Sequence, residues 1–398
     1  MSDSPPPWPP PPPRPPDAPR FPPTSAAEPA PGPCVHGGGF FEAVGEAFDD
    51  LRRHEHVINA DVLDAWFPPS PRALEALRAH LDWLVRTSPP THAEGLVRTL
   101  ARVRGVPEAS LLTAAGSSDL IFLCLREWLS RASRALVLDP TYGEYEHVLR
   151  HVVGCRVDRL RLREEDGYDL RPEAFEEATT ATAYDLVVLV NPNSPTGRHV
   201  PRRTLERLLL GLSERTRVWV DETYVDYAGS SESLERFAAT RPNVVVCKSM
   251  SKAYALSGVR VAYLCTAPSI LAGLRALTPP WAVSLPAQVA AVKAREAPAW
   301  YEARWHETAA LRETLAAALR DRLGFSVVPS TTNFLLCRMP DGAPTTAELG
   351  ERVRPAGLVL RDVSGMGSGL PPRAVRLAVK DAATNARMVD LLAGALRR

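Results

Sequence analysis

No apolar run in this chain of 398 residues reaches the roughly 18 needed to cross a bilayer, so no helical membrane span is expected. The start, Met-Ser-Asp leading into prolines, lacks a basic stretch followed by an apolar one, and no secretory signal is expected. Charge imbalance is missing too. A formal net charge of +1 gives no electrostatic reason to expect nucleic acid or an anionic membrane as partner. Paired cysteine spacing is absent: Cys34, Cys124, Cys155, Cys247, Cys265 and Cys337 are scattered, which predicts reduced thiols in a cytoplasmic protein rather than a disulfide scaffold. His147/His151 and His54/His56 have no acidic or third ligand close in sequence, which argues against zinc. His36-Gly37-Gly38-Gly39 has the form of an esterase oxyanion loop, but the Gly-x-Ser-x-Gly elbow that reading needs is not there.

What is present is ordinary globular composition, 23% charged and 45% hydrophobic, in a chain long enough for two domains. Residues 1–33 hold sixteen of the 39 prolines and few aliphatic side chains, and read as a disordered or polyproline tail. An arm is assigned to 34–70. From residue 71 the pattern alternates. Residues 71–86 have apolar positions at helical spacing. Apolar strand-like runs follow at Ala135–Leu138, Leu186–Val190, Arg217–Val220, Val244–Cys247 and Val261–Leu264. Short, doubly apolar strands separated by helix-length stretches predict an α/β unit over 71–285, with a mostly parallel sheet covered on both faces. After Pro286 a long helical stretch runs to about Leu323. Strand-like Phe325–Val328, Asn333–Cys337 and Val375–Val379, with a helix from Thr345, predict a smaller α+β part over 286–398.

The residue types that carry chemistry cluster at the ends of those strands. Ser249-Met250-Ser251-Lys252 follows one strand, with Arg260 eight residues on. A lysine amine normally holds its proton to about pH 10.4, and it becomes a Schiff-base nucleophile only where its charge is disfavoured. Two hydroxyls and a guanidinium beside it suit a phosphate dianion; the plain alternative is a polar loop with a surface lysine. Asp221, with Glu222, Thr223 and Tyr224 after it, stands at another strand end, where open α/β sheets bind ligands, or acts simply as a helix cap. Asn191-Pro192-Asn193-Ser194-Pro195-Thr196-Gly197 forms a fixed turn. Gly116-Ser117-Ser118-Asp119 opens a helix whose amides can face an anion. Tyr142, after Asp139-Pro140-Thr141, can stack on a flat ring or sit at the edge of the core.

Taken in this order, GSSDL, DPTYGEY, NPNSPTG, DETY and SMSKAYALSGVR resemble the class I/II aminotransferase superfamily over about residues 34–398, and within it histidinol-phosphate aminotransferases and threonine-phosphate decarboxylases. The resemblance implies the pyridoxal-phosphate transferase fold of type I, with a seven-stranded large-domain sheet, and pyridoxal 5′-phosphate bound to Lys252 as an internal aldimine. It implies that Asp221 pairs with the ring nitrogen and Tyr224 with the ring oxygen, and that Tyr142 stacks on the ring. Ser249, Ser251, Arg260 and the Ser117–Ser118 backbone would hold the phosphate. Arg376 and Arg361 would clamp the substrate's carboxylate or phosphate. His36 would close over a substrate phosphate, as a similar His-Gly-Gly does in the decarboxylases, or belong to a simple N-terminal turn. Ser194 stands where relatives place an asparagine that touches the ring oxygen, so either Ser194 makes a shorter contact or Asn193 replaces it. A tyrosine that relatives send to the partner subunit's cofactor has no counterpart; His92 or another group takes its place. The activity implied is an amino transfer between an amino acid or amino-phosphate and a 2-oxo acid, in a homodimer with no nucleic-acid or membrane partner. A phospho-amino-acid decarboxylase and a non-catalytic cofactor-binding protein are the alternatives.

Overall fold

The computed structural model describes residues 39–397; the expected tail, Cys34 and His36 lie outside the described residues. Ile58–Asn59 (β1) pairs in parallel with Leu358–Val359 (β11). Seven strands form the main sheet: Leu111–Ala114 (β2), Arg134–Asp139 (β3), Arg156–Arg161 (β4), Leu186–Val190 (β5), Arg217–Asp221 (β6), Val244–Ser249 (β7) and Ala262–Cys265 (β8). Their order is β2-β8-β7-β6-β5-β3-β4. Strands β7, β6, β5, β3 and β4 run parallel, and β8 is antiparallel to both its neighbours. A second sheet, antiparallel throughout, is built from Ser326–Val327 (β9), Phe334–Arg338 (β10), Arg361–Asp362 (β12) and Ala374–Ala378 (β13), in the order β12-β13-β10-β9.

Successive side chains of a strand point to opposite faces, and here both faces are covered. Val187, Leu189, Val218, Val220, Val244 and Val246 enter one core. Leu186, Val188, Val190, Trp219, Val245 and Cys247 enter the other. Each fully buried aliphatic side chain contributes roughly 1.5–3 kcal/mol, so continuous Val/Leu runs are what a central parallel strand requires.

Several boundaries differ from the sequence reading, each for a local reason. The helix expected over 71–86 is two helices, Pro71–Ala79 and Leu81–Arg86, broken at His80 (φ −126°, ψ 16°). The long stretch after Pro286 divides into Leu285–Arg295 and Pro298–Leu323, because a residue preceding proline is pushed out of the helical region and Ala297 sits at φ −122°, ψ 52°. Strand β4 was not anticipated: Arg-Val-Asp-Arg-Leu-Arg is an edge strand with charges facing out, a common defence against edge pairing. Thr345 caps the helix Thr346–Val353 in a capping box with Glu348.

Gly357 closes the turn into β11 at φ +78°, and a β-carbon there would lie 2.5 Å from the His56 carbonyl oxygen. Gly357→Ala is expected to cost about 1–3 kcal/mol from the left-handed backbone and the clash, read as a lower melting temperature; an unchanged melt would contradict this packing.

Candidate active site

Sheet polarity decides where the chemistry gathers. Strands β3, β5, β6 and β7 run the same way, so Asp139–Tyr142, Asn191–Ser194, Asp221–Tyr224 and Ser249–Lys252 all emerge at one edge. Strand β2 lies antiparallel to β8, which is itself reversed, so Gly116–Ser118 emerge there as well. Arg260 precedes the reversed strand β8 and therefore reaches the same edge from the other direction.

Asp221 is buried, and three donors hold its carboxylate. Tyr145 Oη donates to Oδ2 at 2.7 Å, and the Thr223 amide and hydroxyl donate to Oδ1 at 2.9 and 2.6 Å. Trp219 Nε1 donates to Tyr145 Oη at 2.8 Å and fixes that phenol. Burial pushes the Asp221 carboxyl up, and the Thr223 and Tyr145 hydrogen bonds oppose that push. The Tyr224 hydroxyl is pushed up by burial, and its ring meets Phe334 edge-on at 5.2 Å. Tyr142 packs edge-on against Tyr145 at 5.9 Å, with its hydroxyl on Glu144 at 2.7 Å.

The helix Ser117–Trp128 begins at Gly116, whose φ is +102°. A β-carbon on Gly116 would fall 2.3 Å from Arg260 Nη2, so the guanidinium lies directly on this backbone. Arg260 donates to Ser251 Oγ at 3.4 Å and to the Ser257 carbonyl at 3.1 Å, and Ser249 Oγ accepts from the Ser251 amide at 3.2 Å. Amides at a helix start, a guanidinium and two hydroxyls thus form a cradle for a dianion.

Lys252 Nζ is 2.9 Å from Asp64 Oδ1. Burial lowers the proton affinity of the amine, Asp64 opposes this, and the positive charges of Arg376 and Arg260 add to it; the net direction is down. Arg376 on β13 stands beside Arg361 on β12 in register. Arg376 donates to Ser194 Oγ at 3.1 Å and to the Asp61 carbonyl at 2.9 Å, while Arg361 Nη1 lies 3.5 Å from the Asp61 carboxylate. The Nε atoms of both arginines are buried without a partner among the described residues. Burial pushes the Arg376 guanidinium down to about 10.

Asn193 departs from expectation. Its amide donates to the Pro140 carbonyl and to Thr196 Oγ1, each at 3.0 Å, and accepts from Thr141 at 3.2 Å. These bonds brace the Pro140–Thr141 turn. Ser194, its neighbour, faces Arg376. His92 is exposed and lines a cavity with Thr113 and Arg275. Sequence reading missed Asp64, Asp61, Lys380 and Tyr145. The first two lie in an irregular segment whose partners are about 190–315 residues away in the chain, and Lys380 follows β13 with no motif around it. Tyr145 was within reach, because it lies three residues after Tyr142 in a quoted motif.

A profile described as aminotransferase class I and II matches residues 58–396. The chain is 30% identical over 347 residues to a histidinol-phosphate aminotransferase of Roseiflexus castenholzii, covering 85% of this chain and 89% of that one. It is 29% identical over 373 residues to a threonine-phosphate decarboxylase of Salmonella typhimurium, covering 91% and 96%. The fold superposes on a histidinol-phosphate aminotransferase from Sinorhizobium meliloti in complex with pyridoxal-5′-phosphate, with a TM-score of 0.75, 22% identity, and coverage of 84% and 88%.

Because a side chain at residue 116 must displace Arg260, Gly116→Ala is expected to weaken binding of a phosphate-bearing ligand, with pyridoxal phosphate as the probe, at least about tenfold, or roughly 1.4 kcal/mol. Titration of the cofactor-free protein checks this, and wild-type affinity in the variant would contradict the cradle.

Proposed function

The chain belongs to the aminotransferase class I and II family, and on that premise we propose a pyridoxal-5′-phosphate-dependent aminotransferase that moves an amino group between an amino acid or amino-phosphate and a 2-oxo acid. The observation that carries this reading is Lys252, a half-buried amine that follows the end of β7 in the loop with Ser249 and Ser251, at the sheet edge that Asp221 and Arg260 also reach. The residues present fit the cofactor. Gly116 leaves no room for a side chain against Arg260, and Asp221 is a buried carboxylate already held by three donors.

Pyridoxal 5′-phosphate, when bound, supplies a ring that accepts electrons from a bond breaking at the substrate's Cα. Ser249, Ser251, Arg260 and the Ser117–Ser118 amides would hold its phosphate; Tyr142 would stack on the ring, and Tyr224 would donate to the ring oxygen. Asp221 would pair with the ring nitrogen and hold its proton, and the Tyr145 and Thr223 donors fix the carboxylate in place. Lys252 Nζ would hold the cofactor through its aldehyde group and, as a free amine, would take and return the proton at the substrate's Cα. Arg376 and Arg361, each with a buried Nε–H that has no partner among the described residues, would clamp the substrate's carboxylate or phosphate and so set its orientation. The five described cysteines are buried and free, which suits a cytoplasmic enzyme; no helix among the described residues is long and apolar enough to cross a membrane. A homodimer is part of the same proposal.

A decarboxylase of a phospho-amino acid is the second reading, favoured by the 91% of this chain that aligns with the Salmonella decarboxylase. Incubation with a panel of amino acids, followed by absorbance and CO2 release, separates the readings. Conversion of the cofactor to its amine form without CO2 supports amino transfer. CO2 release with the original spectrum restored supports decarboxylation instead, and no spectral change points to a binding protein.

Two variants check the assignments. Lys252→Ala is expected to lower turnover by about 10²–10⁴-fold, the usual scale for a lost proton-transfer group; turnover within tenfold of wild type would exclude Lys252. Tyr145→Phe removes a donor that favours ionised Asp221, so the carboxyl holds its proton to higher pH and the acidic limb of the rate profile moves upward. A limb that moved downward or stayed in place would contradict this role for Tyr145.

A further inference from the structure

Lys252 does not stand alone at the mouth of the site. Asp64, in the irregular segment after β1, accepts from its amine at 2.9 Å and from Ser257 Oγ at 2.6 Å. Ser257 in turn reaches the Ser251 carbonyl at 3.0 Å, so Asp64 is tied to the loop that carries Lys252. The second lysine of the site, Lys380, follows β13 and places its amine 3.5 Å from the Asp64 carbonyl. Its backbone is locked by Asn385, which accepts from its amide at 2.9 Å and donates to its carbonyl at 2.6 Å. The side chain is therefore presented from a fixed point.

We propose that Asp64 is a positioning residue that aims the free Lys252 amine into the site, and that Lys380 is the counter-charge that stops Asp64 from locking that amine in its protonated form. The chemistry demands such a balance. A lysine that must attack an aldehyde carbon needs a neutral amine, yet a carboxylate at 2.9 Å favours the ammonium. Burial would raise the Asp64 carboxyl, but Lys252 and Ser257 outweigh it and bring it below its ordinary value. Burial brings Lys380 down to about 8; Asp64 pulls it back up, Lys252 lowers it further, and Asp381 opposes that. The remaining charges acting on Lys252 are Arg376 from β13 and Arg260 from the turn before β8, both opposing its proton. Asp64 is the carboxylate in contact with the amine, and Lys380 acts on the amine through it and directly.

The test is the pH dependence of Lys252 labelling by an amine-reactive reagent in the cofactor-free, full-length protein, read by peptide mass spectrometry. The proposal rests on the aminotransferase reading only for why the amine must be neutral. Labelling needs neither cofactor nor turnover, so the two can fail separately. Asp64→Asn is expected to move the labelling midpoint of Lys252 down by about one pH unit and Lys380→Gln to move it up, with the double variant between them. A midpoint unmoved in Asp64→Asn protein that melts like wild type would overturn the proposal, as would shifts of the same sign in both variants. Should Asp64→Asn fail to fold, Lys380→Gln decides alone: an upward shift supports the counter-charge, and none, or a downward one, overturns it.

Discussion

The direction of the strands is the constraint on which the site depends. A parallel strand delivers whatever follows it to the same edge as its neighbours, and ligands of open α/β sheets bind at that edge. Four parallel strands with residues of the required chemistry just past their ends therefore form one crevice without any long-range design in the loops. Arg260 reaches it by preceding the one reversed strand of the sheet.

Within the crevice, burial works against the charges of Asp221, Arg376 and Lys252, and each is held by a specific neighbour. Asp221 has Tyr145 and Thr223. Arg376 has Ser194, the Asp61 carbonyl and the Phe334 ring 5.7 Å away. Lys252 has Asp64. Isolated, any of these charges would be costly to bury. Arg361 and Arg376 nevertheless keep a buried Nε–H without a partner among the described residues. A second buried group lies behind the site: Lys248 faces Asp226 at 3.2 Å and Glu222 at 3.7 Å, and Arg104 joins Asp226 and Glu235. It braces the segment that follows Asp221, since Glu222 accepts from the Leu234 amide and the Ser233 hydroxyl.

Much of this was legible in the sequence, because central strands must be apolar on both faces and their ends must carry the polar residues. Leu186–Val190 is read from sequence and found in the structure with the same bounds. Val261–Leu264 is displaced by a single residue, since β8 covers Ala262–Cys265. What escaped notice depends on contacts between distant parts of the chain. Strand β4 looks like a charged loop until β3 pairs with it. Asp64 and Lys380 sit in segments with no periodicity and no motif, and only folding brings them to Lys252. Asn193 was offered by the resemblance as the alternative to Ser194, and the bonds its amide makes to Pro140 and Thr196 could not be read from the sequence.

The account stands on one amine. The chain has four lysines, Lys248, Lys252, Lys293 and Lys380, so borohydride reduction of the protein with pyridoxal phosphate, followed by peptide mass mapping, can identify the bonded residue outright. The cofactor's mass is expected on the peptide holding Lys252; the same mass on Lys248, Lys293 or Lys380, or on no lysine at all, would contradict the assignment.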